Sequence, residues 1–176
     1  MEVIIYNIAF KYFSLAVAFF QILINPFWSA FTESFIKNDI TWIKSMMKKL
    51  IVIWGISCII ITGMVLFSNL AFKIWIGNEI NIPISLSAGL AIYMCISNWN
   101  SIFVSFNSGV SKIRLQVFLS LIAGIIFIPW AVFLSKRIGL MGIPIAMCLS
   151  IIHGSFISPV QYKKLINGKA WGIWNE

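Results

Sequence analysis

Charge is what this chain has least of. Only 10% of its 176 residues are Asp, Glu, Lys or Arg, and only five are carboxylates, whereas an ordinary soluble domain carries about a quarter charged residues. With 60% hydrophobic residues, a water-soluble body of this size is excluded. The single histidine, His153, has no Cys or His at ligand spacing, which excludes a zinc site. The three cysteines, Cys58, Cys95 and Cys148, are an odd number placed in three apolar stretches. That pattern excludes a disulfide framework and reads as small buried apolar residues. Residues 1–11 lack a basic segment ahead of a short apolar core and cleavage site, so they are not a signal peptide.

Long apolar runs are what remains. Five of them, over residues 8–31, 50–75, 83–106, 115–134 and 143–160, approach the roughly 20 residues that a helix needs to cross a bilayer. The expected fold class is therefore all-α, a polytopic transmembrane helical bundle forming one domain over 1–176. Residues 32–49 read as an amphipathic connector with Lys37, Lys44 and Lys48 near headgroups and Asn38 or Asp39 as its cap. Residues 161–176 read as a polar, basic tail. Pro26 is expected to bend the first span, and Gly55 and Gly63 to mark close helix approach.

The net charge of +8 sits beside hydrophobic spans rather than on a polar stripe interleaved with aromatics, so nucleic acid is excluded as a partner. Alternate loops divide the cations into two groups. Lys37, Lys44, Lys48, Lys49, Lys112, Arg114, Lys163, Lys164 and Lys169 form one; Lys11, Lys73, Lys136 and Arg137 form the other. Cytoplasmic loops collect Lys and Arg, which puts the first group and the carboxyl terminus inside, with Lys136 and Arg137 dissenting. An outside amino terminus and an abrupt first span lead us to expect the later part of a longer chain.

Four strings then carry a family resemblance. Residues Tyr6 to Leu15 resemble the start of a late span in O-antigen and capsular polysaccharide flippases. The run Asn25-Pro26-Phe27-Trp28-Ser29-Ala30-Phe31-Thr32-Glu33 is similar to that family's Pro-Leu-Trp-Ser/Pro-Ala-Tyr/Phe-Thr-Glu motif. Residues Asn107 to Gln116 look like its Asn-Gly-x-Gly-Lys-x-Arg-x-Gln loop, with Ser111 where glycine is usual. The tail Tyr162 to Asn175 looks like the family's ending.

The family belongs to the multidrug, oligosaccharidyl-lipid and polysaccharide exporter superfamily. The resemblance implies most of the second lobe of a two-lobed exporter, with the first lobe absent. It also implies transport of an undecaprenyl-pyrophosphate-linked oligosaccharide across the bacterial inner membrane for O-antigen or capsule. The implied partners are that lipid-linked oligosaccharide, the bilayer, an amino-terminal lobe and other polysaccharide-assembly proteins.

Moving such a cargo requires cations for diphosphate and amides for sugar hydroxyls. Depth and polarity nominate Lys11, Gln21, Asn25, Asn98 and Asn100 as substrate-binding, with Lys112 and Arg114 meeting lipid phosphate at the cytoplasmic surface. The ordinary alternatives are snorkelling for Lys11 and interhelical hydrogen bonding for the amides. His153 suits a proton relay, or a bond to a neighbouring helix. No catalytic residue, metal or cofactor is expected. The spans hold no Asp or Glu at depth, which disfavours the second reading, a cation-coupled multidrug exporter. Loops this short and poor in carboxylates disfavour a membrane glycosyltransferase. A nonfunctional truncated remnant is the third reading.

Overall fold

The computed structural model describes residues 2–77 and 81–175. Among these the chain is helical with no strand. The order is α1 (Glu2–Ile24), α2 (Phe27–Ile36), α3 (Ile40–Leu66), α4 (Ser68–Ile76), α5 (Ile84–Gly109), α6 (Arg114–Ile138) and α7 (Gly142–Ile166). One short 3-10 turn, Gly139–Met141, joins α6 to α7, and a second covers Gly172–Asn175.

The element boundaries depart from the expected ones in several places. The connector over 32–49 is not a separate helix: its first residues complete α2, a turn follows, and α3 starts at Ile40. Asn38 takes a left-handed backbone conformation, and the Asp39 carboxylate accepts from the Trp42 backbone N–H at 2.9 Å. Together they stop one helix and cap the next. The second apolar run is divided at Phe67 into α3 and α4. The tail does not begin at 161, because α7 continues to Ile166. Gly55 and Gly63 have open space where a side chain would sit, so they are not close-approach points. Those lie instead at Gly109, whose missing Cβ would stand 2.8 Å from the Trp28 carbonyl oxygen, and at Gly142. The three cysteines are free thiols and half-buried rather than buried.

Pro26 separates α1 from α2, as its missing N–H and ring require. Pro159 is accommodated inside α7. It cannot donate to the Ser155 carbonyl one turn back, and the Trp99 indole N–H donates to that oxygen instead at 3.1 Å. A neighbouring helix thus satisfies the group that proline leaves free.

Helix α5 is the centre of the bundle, packed by α1, α2, α3 and α7. Ala9 and Phe13 pack with Leu86 and Leu90, and Gln21 pairs with Ser101, so α1 and α5 run parallel. Asn100 meets Ile151 and Asn107 meets Gln161, so α7 does too. Trp54 of α3 reaches Cys95 while Ile43, Met47 and Leu50 pack with Ile102 and Phe106, so α3 runs the other way. Helix α6 folds back antiparallel along α7. This alternation brings Lys37, Lys44, Lys112, Arg114, Lys163, Lys164 and Lys169 toward one end of the bundle, with Lys48 and Lys49 a little over two turns along α3. Lys73, Lys136 and Arg137 lie at the other, and Lys11 stands two to three turns along α1.

Two apolar clusters fill the interior, one around Phe31, Ile43 and Phe106 and one around Phe13, Ile61 and Leu90. Yet much of the oil faces outward: Ile125 is 75% exposed and Phe156 is 70% exposed. Helix α6 is apolar all round and buries only Leu115. A helix of that kind needs hydrocarbon around it. Three helical segments, Glu2–Ile36, Ile40–Leu66 and Arg114–Ile166, are long and apolar enough to cross a membrane. The last has 53 residues, twice what one crossing needs, and folds into the α6–α7 hairpin. Helix α5 is long enough, but its Ser97–Ser101 stretch lowers its hydropathy. The chain is an all-α, membrane-embedded helical bundle.

The loop between α5 and α6 places Ser111 at a φ of 57°, a left-handed conformation that favours glycine. Ser111→Gly is expected to stabilise the fold by about 0.5–1 kcal/mol, measured as a rise in the midpoint of denaturant-induced unfolding in micelles. An unchanged or lower midpoint would contradict this.

Candidate functional site: the outer face of helix α1

Helix α1 carries Asn7, Lys11, Ser14, Ala18 and Gln21, and the turn after it carries Asn25, at alternating spacings of four and three, which places them along one side. Asn7, Lys11 and Asn25 are exposed, and their side chains make no hydrogen bond among the described residues. Ser14 bonds to the Lys11 carbonyl at 2.8 Å. Gln21 stands at the edge and donates to Ser101 Oγ of α5 at 2.7 Å. A row of uncovered amides and an ammonium on a helix this apolar is costly in hydrocarbon.

The row continues past the break at Pro26 into an open hollow of about 620 Å³ lined by Asn25, Trp28, Ser29, Thr32, Glu33 and Ile36. Trp28 is 57% exposed and offers an aromatic face beside hydroxyls, an amide and a carboxylate. Thr32 is already committed, donating to the Gly109 carbonyl at 2.7 Å. Glu33 is paired with Lys37. Hydrogen bonding to that carboxylate, and then its charge, raise the Lys37 ammonium above its ordinary pKa. Both groups are solvent-exposed, so the pair adds little stability.

On the adjoining side of α1 lies an apolar groove of about 430 Å³ shared with α3, lined by residues such as Leu15, Phe19, Leu23, Ile56, Ile60 and Met64. One helix therefore separates a polar row from an oily channel.

The amides of α5 are arranged differently. Asn98 is 0% exposed; its Nδ2 lies 3.5 Å from Ser57 Oγ of α3 and its Oδ1 has no partner. Asn100, about 200° further round the helix, donates to the Ile151 carbonyl at 3.2 Å and accepts from Ser155 at 3.2 Å. The two asparagines thus face different neighbours and do not form one site. Lys112 donates to the Asn175 carbonyl at 2.7 Å, holding the tail, while Arg114 is exposed at the start of α6. His153 is not bonded to a neighbouring helix: it has no partner among the described residues.

Sequence reasoning named Lys11, Gln21 and Asn25 singly and did not name Asn7, Ser14 or the Trp28–Glu33 hollow. The four–three spacing was the available signal. Among the described residues, no group of three or more His, Cys, Asp or Glu could hold a metal ion. Comparison of the chain with protein-family models, with curated proteins and with solved structures finds no significant match.

Proposed function

We propose that the chain is part of a flippase carrying a lipid-linked oligosaccharide across the bacterial inner membrane, with α1 as the face that meets the cargo. The observation carrying this reading is the pairing of an uncovered polar row with an apolar groove on one helix. A diphosphate-sugar headgroup suits the row, where Lys11 supplies positive charge and Gln21, Asn25 and the Trp28 hollow supply sugar contacts. A polyprenyl tail suits the groove. The four motif-like strings favour the same cargo.

In this reading the chain crosses the membrane several times, with the end bearing Lys112, Arg114 and the carboxyl terminus in the cytoplasm. The α1 face is completed by a second helical lobe, and alternating access comes from rocking one lobe against the other. The chain binds and moves its cargo without altering a bond, so it is not an enzyme.

The test is surface polysaccharide in cells that depend on this protein. Lys11→Leu with Asn25→Leu is expected to lower polymer export by about tenfold or more, the loss of one to two charge-assisted contacts, at unchanged protein level. Asn98→Leu is expected to leave export intact, because that side chain is sealed inside the bundle. Normal export by the α1 double variant sinks the reading.

A further inference from the structure

The antiparallel seam between α3 and α5 holds two of the three thiols. Its register is set by contacts on either side of them. Trp54 and Trp99 meet edge to face with ring centroids 4.8 Å apart, and the Trp54 indole N–H donates to the Cys95 carbonyl at 2.9 Å. Further along, Ile61 packs in one cluster with Leu90, Ala91 and Met94. One turn on from Trp54 is Cys58, and one turn back from Trp99 is Cys95. In antiparallel helices those two positions face each other. Their side chains are in hydrogen-bonding contact.

Cys148 stands apart from this pair. It lies on α7 beside Tyr93, which is about 200° round α5 from Cys95. The odd thiol count, which argues against a disulfide framework, thus resolves into one facing pair and one remote thiol. Cys58 and Cys95 are free and half-buried rather than sealed. The lip of their seam faces lipid, where Ile59 is 73% exposed and Ile92 is 57% exposed. A small uncharged oxidant that crosses membranes, such as hydrogen peroxide, can reach them from that side.

We propose that Cys58 and Cys95 are a redox-sensitive pair, which a peroxide closes into a disulfide that staples α3 to α5. One sulfur takes an oxygen from the peroxide: an S–O bond forms, the O–O bond breaks and water leaves, giving a sulfenic acid. The second sulfur displaces that hydroxyl as another water, and the S–S bond forms. The two thiol protons leave in the two waters; the sulfurs lose two electrons and the peroxide gains them. The product carries no charge and no donor, so nothing in it opposes a hydrocarbon setting. Helix α3 also walls the apolar groove through Ile53, Ile56 and Ile60. The bridge therefore fixes one wall of that groove to the central helix, whatever the groove holds.

The test uses the full chain in bilayer vesicles, treated with hydrogen peroxide and then with a membrane-permeant maleimide. The free thiols are expected to fall from three to one, Cys148, and to return to three with dithiothreitol. Digestion and mass spectrometry are expected to join the Cys58 peptide to the Cys95 peptide of the same chain. Cys148→Ser is expected to leave the bridge intact, and Cys95→Ser to abolish it. Cys58→Ser with Ile59→Cys moves the thiol about 100° round α3 and is expected to leave all three thiols unbridged. Three free thiols after peroxide in the folded parent chain overturn the proposal. So does a bridge to Cys148 or to another copy, or one that forms equally fast from position 59. No readout involves transport, so the proposal stands or falls separately from the cargo assignment.

Discussion

Gly142→Ala is expected to destabilise the protein by about 3 kcal/mol or more, at the upper end of what overpacking costs. A Cβ on Gly142 would collide with the Ser135 backbone nitrogen and stand 2.7 Å from the Leu134 carbonyl oxygen. No rotamer change relieves that overlap, because both atoms are main chain. The α6–α7 reversal must open, and Ser135 and Leu134 must move with it. Helix α6 then loses its chief packing partner. Gly124→Ala serves as the comparison. Its Cβ meets nothing within 4 Å, and alanine favours a helix by about 1 kcal/mol over glycine. Unfolding of both variants in mild detergent, followed by circular dichroism, should separate them clearly. Equal midpoints would refute the assigned geometry of the reversal.

Gln161→Leu is expected to cost about 2–4 kcal/mol, because it strands several buried polar groups at once. Gln161 is 1% exposed, and its Oε1 accepts from Asn107 Nδ2 at 3.0 Å. Its Nε2 donates to the carbonyls of Lys112 at 3.1 Å and Trp174 at 3.4 Å. One side chain thus ties the end of α5, the following loop and the tail to α7. Lys164, with its ammonium 3.7 Å from the Trp174 ring centroid, closes the same clasp from the outside. Leucine removes all three hydrogen bonds and leaves Asn107, whose Oδ1 already lacks a partner, with no bond to its amide. The loop should loosen, so trypsin should cut after Lys112 and Arg114 several times faster than in the parent chain. A cleavage rate equal to the parent's would show that the clasp is not what holds the loop.

Class and location in hydrocarbon were legible without coordinates. Few charges, long apolar runs and cations confined to the gaps leave no other solvent for the side chains, and that argument depends on composition and order alone. The break at Pro26 and the cap at Asp39 were legible for a related reason: each is decided within a turn of backbone. The ends of α2, α3 and α7 were not. Residues 40–49 are polar enough to suggest a separate connector, but one continuous helix satisfies more backbone bonds, and their apolar face packs against α5.

The candidate sites divide along the same line. That Lys11 and Asn25 stand at an exposed polar face follows from helical spacing once α1 is helical. The fate of Asn98 and Asn100 does not. Two residues apart on a central helix, they point to opposite neighbours, and only the packing of α3 and α7 decides what each one meets. Glycine shows the contrast most sharply: the sequence offers Gly55 and Gly142 as equals. Which of them has a backbone pressed against it is settled by chain reversal, a long-range event that local composition does not encode.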